Sequence, residues 1–138
     1  MIILDTNVLS GLMLEQPPPQ LIGWTDRQPR TSIWTTAVNV FEVRYGLAIM
    51  PEGRRRELLQ RQFDDLLEAI DHRIALFDEV AAEHTAALMA LRRQAGRSGE
   101  LRDAMIAGIV LAHHATLATR NVAPFADLDA SVINPWDV

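Results

Sequence analysis

Cysteine is absent from the 138 residues, and so is lysine. The first absence excludes disulfide frameworks, thiolate nucleophiles and cysteine-ligated zinc. It also agrees with a reducing compartment. The second makes every one of the 13 basic side chains an arginine, a group suited to planar, two-pronged contact with phosphate or carboxylate. Long apolar runs are missing too. The longest, Ala104 to Ala112, is about half of the ~18 to 20 residues needed to span a bilayer, so no membrane role is expected. The opening MIILDTNVLSGLML has an acid at Asp5 and no basic segment before its apolar residues, which does not fit a secretory leader. A cytoplasmic location is the expectation. Positive charge is in short supply: the net charge is −5. A protein that coats nucleic acid through bulk charge should be basic, because counterion release supplies most of that affinity. An enzyme acting on nucleic acid needs only local positive charge.

Apolar residues make up 49% of the chain and charged residues 22%, an ordinary balance for a globular protein. The length suits one domain, residues 1–138, large enough to bury a core of its own. Met1 to Leu4 is a short apolar run and reads as a buried strand, followed by a helix from Thr6. Pro17-Pro18-Pro19 opens a second helix through Trp24. A second strand is expected over Ser32 to Thr35, with Thr36 as the N-cap of a helix reaching about Ile49. Arg54 to Ile70 carries apolar residues at helical spacing. Arg73 to Phe77 reads as a strand, Asp78 or Glu79 to about Ala95 as a helix, and Gly96 to Glu100 as a loop. A long apolar helix follows from Arg102 to His114, then strands at Ala115 to Thr119 and Ser131 to Ile133. No internal repeat is present. Strands alternating with helices predict an α/β fold of three layers around a mainly parallel sheet of four to five strands. Ligands bind such sheets at the C-terminal ends of the strands.

Three carboxylates stand out against that frame. Asp5 directly follows the first strand, where it either caps the next helix or faces a ligand. Glu42 lies mid-helix between apolar residues, with Asn39 and Gly46 on its own face. Asp103 shares a helical face with Ile106, Ala107 and Val110, so it points toward the sheet. The dipole of the first helical turn favours an anion by only ~0.3 to 1 kcal/mol, far less than the several kcal/mol needed to bury an unpaired carboxylate. A cation partner for Asp103, an arginine or a metal ion, is therefore expected. If the three acids converge, oxygen-only ligands favour Mg2+ or Mn2+ over Zn2+. Such ions support hydrolysis of phosphate esters.

The opening I-L-D-T-N, Glu42 in its apolar helix, R-D-A-M-I-A around Asp103 and L-A-T-R-N at 117–121 together resemble the PIN domain. The closing V-I-N-P-W at 132–136 resembles the VapC and FitB type of toxin within it, and the likeness spans essentially the whole chain. The resemblance implies a Rossmann-like sheet, an acidic pocket for Mg2+ or Mn2+, and endonucleolytic cleavage of RNA. It implies a homodimer or dimer of dimers, and a small antitoxin that blocks the pocket and itself binds operator DNA. Residue by residue, Asp5, Glu42 and Asp103 match the metal-binding acids, Thr6 the hydroxyl beside the first acid, and Thr119 and Asn121 the cluster after the fourth strand. Many PIN domains have a fourth acid where Asn121 stands. An amide contributes no charge there, so one ion rather than two is expected.

Other features have plainer readings. Arg54-Arg55-Arg56 with Arg61 is a solvated helix face or an RNA rail, and Arg92, Arg93 and Arg97 precede the loop leading to Asp103. His113 and His114 suit a helix C-terminus. Trp24, Trp34 and Trp136 are scattered as packing residues are. An aspartate-nucleophile phosphatase would want a second Asp where Asn7 stands, and a phospho-receiver domain would want a Lys. A structure-specific DNA nuclease usually needs extra helical segments. A PIN-like domain with a weakened site, serving mainly as an antitoxin-bound regulator, is the remaining alternative.

Overall fold

The computed structural model describes residues 1–138. Five strands form one sheet: β1 (Ile2–Leu4), β2 (Ile33–Thr36), β3 (Ile74–Ala75), β4 (Thr116–Ala118) and β5 (Val132–Ile133). Their order is β3-β2-β1-β4-β5, and every pairing is parallel. Six helices surround it: α1 (Thr6–Leu12), α2 (Pro19–Asp26), α3 (Ala37–Ala48), α4 (Arg54–Ala69), α5 (Glu79–Gln94) and α6 (Leu101–His113). The chain starts at the centre of the sheet, winds outward through β2 and β3, then returns to the other side of β1. The reversal falls between β1 and β4, and the crevice beyond their C-terminal ends is where open α/β sheets receive ligands.

Alternation along the short strands divides the core. Leu4, Ile33 and Ala118 face one way, against Val8 and Leu9 of α1, Leu21 and Trp24 of α2, Val43 and Leu47 of α3, and Phe63 and Leu67 of α4. Ile3, Ala75 and Leu117 face the other way, against Ala81 and Leu88 of α5 and Ile106, Ile109 and Val110 of α6. Both faces of a parallel sheet must be covered, so the strands are apolar throughout rather than alternating. This is the three-layer fold that the sequence pattern predicts.

Helix starts follow the sequence closely. Asp5 and Thr36 cap α1 and α3 by accepting main-chain N–H groups of Thr6 and Asn39, and Asp78 caps α5 through Ala81. The third strand is shorter than the Arg73–Phe77 expected. It lies at the sheet edge, paired only with β2, and the chain leaves it early so that Asp78 can cap α5. The fourth and fifth strands are likewise trimmed at their ends. No helix is long and apolar enough to cross a membrane.

Candidate functional site

Asp5 leaves the end of β1 as α1 begins, and its main-chain N–H donates to the Ala118 carbonyl of β4 at 2.9 Å. This fixes the side chain at the mouth of the crevice. Asp5 is only 7% exposed, and its carboxylate is held from several directions. Oδ1 accepts the Thr6 N–H at 2.9 Å and the Asn39 amide at 3.0 Å. Oδ2 accepts the Thr119 hydroxyl at 2.7 Å, with the Asn7 amide more distant at 3.5 Å. Thr119 follows β4 and is wholly buried, so the two strands at the switch point jointly orient this acid.

Asn39 is the hub of the second line of contacts. Its side-chain oxygen accepts the Thr36 hydroxyl at 2.6 Å, and its amide nitrogen donates both to Asp5 and to the Thr6 hydroxyl, the latter at 2.9 Å. A carboxylate can only accept, so the amide must present nitrogen to Asp5. The Thr6 hydroxyl in turn donates to Glu42 Oε1 at 2.9 Å. An unbroken relay thus runs Thr36, Asn39, Thr6, Glu42, with a branch to Asp5. Glu42 Oε2 faces the Arg102 guanidinium at 3.6 Å, and Arg102 in turn holds Glu100 at 2.7 Å.

Asp103 is different. It lies in the first turn of α6, half-buried, with Ile106, Ala107 and Val110 on its face fully buried. No donor and no cation contacts its carboxylate; Arg102 and Arg92 act on it only through space. Burial, then the charges of Asp5 and Glu100, push its proton affinity above the usual carboxylate range. Glu42 is also raised, chiefly by burial; the Thr6 hydrogen bond and Arg102 oppose this, and Asp5 and Asp103 add to it. The three acids therefore share one electrostatic field, and it is under-compensated.

The expected arginine partner for Asp103 is not there. Arg92 is instead buried and clamps Asp127 with two bonds of 2.9 and 2.8 Å, while also donating to the Pro124 carbonyl. Its role is to tie α5 to the segment after β4. Beside Asp103 lies a polar cavity of about 210 Å³, lined by Arg97, Ser98, Gly99 and Glu100 among others. On the other side, a cleft between α1, α3 and α4 runs from Thr6 and Glu42 to Arg55, which places one arginine of the Arg54–Arg56 cluster near the acids.

The donor chemistry fits a small hard divalent ion, since carboxylates are the ionisable donors at the mouth and His72, His84, His113 and His114 lie elsewhere in sequence. The spacing is looser than a three-carboxylate cage: no three His, Asp or Glu side chains are gathered closely enough to enclose an ion between them. Glu42 is drawn to Thr6 and Arg102. The arrangement suits an ion that keeps most of its water and takes one or two carboxylates, as Mg2+ usually does; Asp5 and Asp103 are the two left to supply them.

Asn121 joins this cluster through its main chain. Its N–H donates to the Thr119 hydroxyl at 3.1 Å, while the exposed side chain makes no hydrogen bond. Asn39, Asn7 and Arg102 contact the acids, a role that sequence reasoning did not give them. The available signals were weak: Asn39 sits one turn before Glu42 in an otherwise apolar helix, and Arg102 adjoins Asp103.

The PIN domain family model matches residues 2–131. Toxin FitB of Neisseria gonorrhoeae is 31% identical over 99% of both chains. The VapC ribonuclease Y4jK of Sinorhizobium fredii is 37% identical, again over 99% of both. A solved structure of FitAB bound to an IR36 DNA fragment superposes with a TM-score of 0.90 and 31% identity, covering 100% of this chain and 97% of that one. On the match of fold, site and sequence, the chain belongs to the PIN domain family.

Proposed function

We propose that this chain is a Mg2+- or Mn2+-dependent endoribonuclease, the toxin of a toxin–antitoxin pair, built as a single domain over residues 1–138. The observation that carries the reading is Asp103: a half-buried carboxylate that no side chain or main-chain N–H contacts, in the field of Asp5 and Glu100 and only partly offset by Arg102 and Arg92. Leaving such a group uncompensated is costly, and a divalent ion removes that cost. The names of the relatives, one a ribonuclease and one a toxin, support the substrate class and the biological role.

A divalent ion held by Asp5 and Asp103 would supply charge stabilisation for the phosphoryl oxygens and a more acidic water. The chain's own residues do the positioning. Asp5 is pinned by Thr6, Asn39 and Thr119, and Oδ2, whose one close donor is Thr119, is its less engaged oxygen. Asp103 contributes the carboxylate that the chain leaves without a hydrogen bond. Glu42, fixed by Thr6, would be a further ligand or would hold a water of that ion. Thr6 and Thr119 keep the acids in register, and Asn121 acts by holding the Thr119 hydroxyl.

The partner is a small antitoxin that covers the acidic pocket and contacts operator DNA itself; the DNA-bound FitAB assembly supports this. A homodimer or dimer of dimers is supported by α3, which exposes Phe41 and Tyr45 on successive turns, and by Ile49 just past its end. A second reading, a PIN-like regulator with a weakened site, is favoured by one observation, the failure of three carboxylates to close around an ion.

The deciding experiment is incubation of cellular RNA with the partner-free protein in Mg2+, in Mn2+ and in chelator, beside Asp103→Asn. Discrete cleavage that requires metal and falls by about 10²-fold or more in the variant is expected, the scale of losing one transition-state electrostatic contact. Metal-independent cleavage, or full activity in the variant, overturns the ion-based mechanism. No cleavage and no ion binding gives the regulatory reading its place.

A further inference from the structure

We propose that Arg102 is the residue that grips the RNA backbone at this pocket, and that its contact with Glu42 is a parking position from which substrate phosphate takes it. This deepens the nuclease reading and rests on it. The chain's net charge is −5, and acids border both openings beside Arg102: Glu100 and Asp103 line one cavity and Glu42 lines another cleft. A polyanion approaching that mouth needs a cationic contact close to the reacting phosphate. Arg102 is the arginine that pairs directly with one of the three central acids, through Glu42 Oε2 at 3.6 Å.

The geometry of the pair separates parking from a permanent strut. A single long contact on a side chain that is 40% exposed is a weak, screened interaction. Arg92 shows what a structural arginine looks like in the same protein: buried, two-pronged onto Asp127, and donating to a main-chain carbonyl as well. Arg102 lacks that burial: its Nε and Nη2 both donate to one oxygen of the exposed Glu100, at 3.2 and 2.7 Å, and no main-chain carbonyl locks it. Its guanidinium has donors to spare, and a phosphate accepts two of them in parallel. A cation arriving between Asp5 and Asp103 relieves the negative field that keeps Arg102 on Glu42, so ion binding and release of the guanidinium work in the same direction. Its place in the first turn of α6, beside Asp103, puts the freed fork next to the carboxylate that has no partner.

The test is binding of a short fluorescein-labelled single-stranded RNA of mixed sequence, titrated with salt, in Mn2+ and in chelator, for wild type, Arg102→Gln and Arg102→Lys. In Mn2+, Arg102→Gln is expected to bind the RNA about tenfold more weakly, the scale of one charge-assisted hydrogen-bonded contact. The slope of log affinity against log salt should shrink by about 0.7, the value for one lost phosphate contact on a single strand. Arg102→Lys should keep the slope and recover part of the affinity. Mn2+ affinity, read by calorimetry without RNA, should be unchanged or tighter in Arg102→Gln, because a competing positive charge is gone. An unchanged RNA slope overturns the proposal. So does loss of Mn2+ binding in Arg102→Gln, which identifies Arg102 as a strut of the acid cluster instead. Should wild type cleave RNA normally while Arg102→Gln matches it, only Arg102 is misassigned; should wild type neither cleave nor bind RNA, the nuclease reading falls with it.

Discussion

Asp103 and Glu42 make a residue-scale argument about pH. Both bind their protons more tightly in the folded chain than the ordinary values of 3.8 and 4.5. A carboxyl raised in this way favours the fold when protonated. Its contribution is present below the ordinary value and is lost as pH rises through the raised, folded one. In chelator, Asp103→Asn should therefore melt higher than wild type near neutral pH, and the gap should close as pH falls toward about 4. Mg2+ should stabilise wild type and not the variant. Thermal unfolding by circular dichroism checks both; a variant that melts below wild type at neutral pH in chelator contradicts the assignment. The acids were legible in the sequence because a charge among apolar neighbours stands out at helical or strand spacing. Asn39 was not. An amide on the Glu42 face reads equally well as a solvated residue until β1 and α3 are seen to meet, and only then do its two N–H groups have Asp5 and Thr6 to serve. Asn121 shows the converse: the side chain suggested a role, and the main chain carries it.

At the scale of elements, boundaries set by caps were readable and contacts between helices were not. Thr36 and Asp78 mark α3 and α5 from sequence alone, because their side chains satisfy N–H groups that the helix itself leaves open. Gly108 had no such signal. It sits in the middle of α6, where glycine is worth about 1 kcal/mol less than alanine in helix propensity. The structure supplies the reason it is there. A methyl group at Gly108 would come within 2.6 Å of the Ala81 carbonyl of α5 and overlap the Thr85 hydroxyl, which donates to that same carbonyl. The obstacle is backbone, so α5 and α6 would have to separate. Overpacking of this kind costs about 1 to 3 kcal/mol, enough to cancel or exceed the propensity gain. Gly108→Ala should lower the urea midpoint of unfolding, and a higher midpoint would show that the helix pair has slack. Asp103 lies on α6 as well, so the same substitution should weaken ion binding without touching a ligand.

For the whole molecule, topology explains why the site was legible at all. A sheet that winds outward from its centre and returns on the other side creates one crevice, and the chain's first acid falls at its mouth. Sequence reading reached the alternation of strands and helices; the strand order that seats Thr119 against Asp5 came only from the fold. The same topology ties the two cores together, since β1 contributes Leu4 to one face and Ile3 to the other. Neither face can be lost while the other stays. Urea unfolding should therefore be one transition, with far-ultraviolet circular dichroism and tryptophan fluorescence coincident. Fluorescence samples both sides, because Trp24 belongs to the first core and Trp34 packs on the second. An ion held by Asp5 and Asp103, as proposed, would bind only the assembled crevice, because the end of β1 and the start of α6 are far apart in the chain. Mn2+ at about a hundred times its dissociation constant should then add about 2.7 kcal/mol to that single transition. Chelator should remove the increment entirely, and Asp103→Asn should never acquire it. Two separated transitions would mean that the layers fold independently. A single transition indifferent to Mn2+ would mean that the acids at the switch point hold no ion, and the strain on Asp103 would need another source of relief.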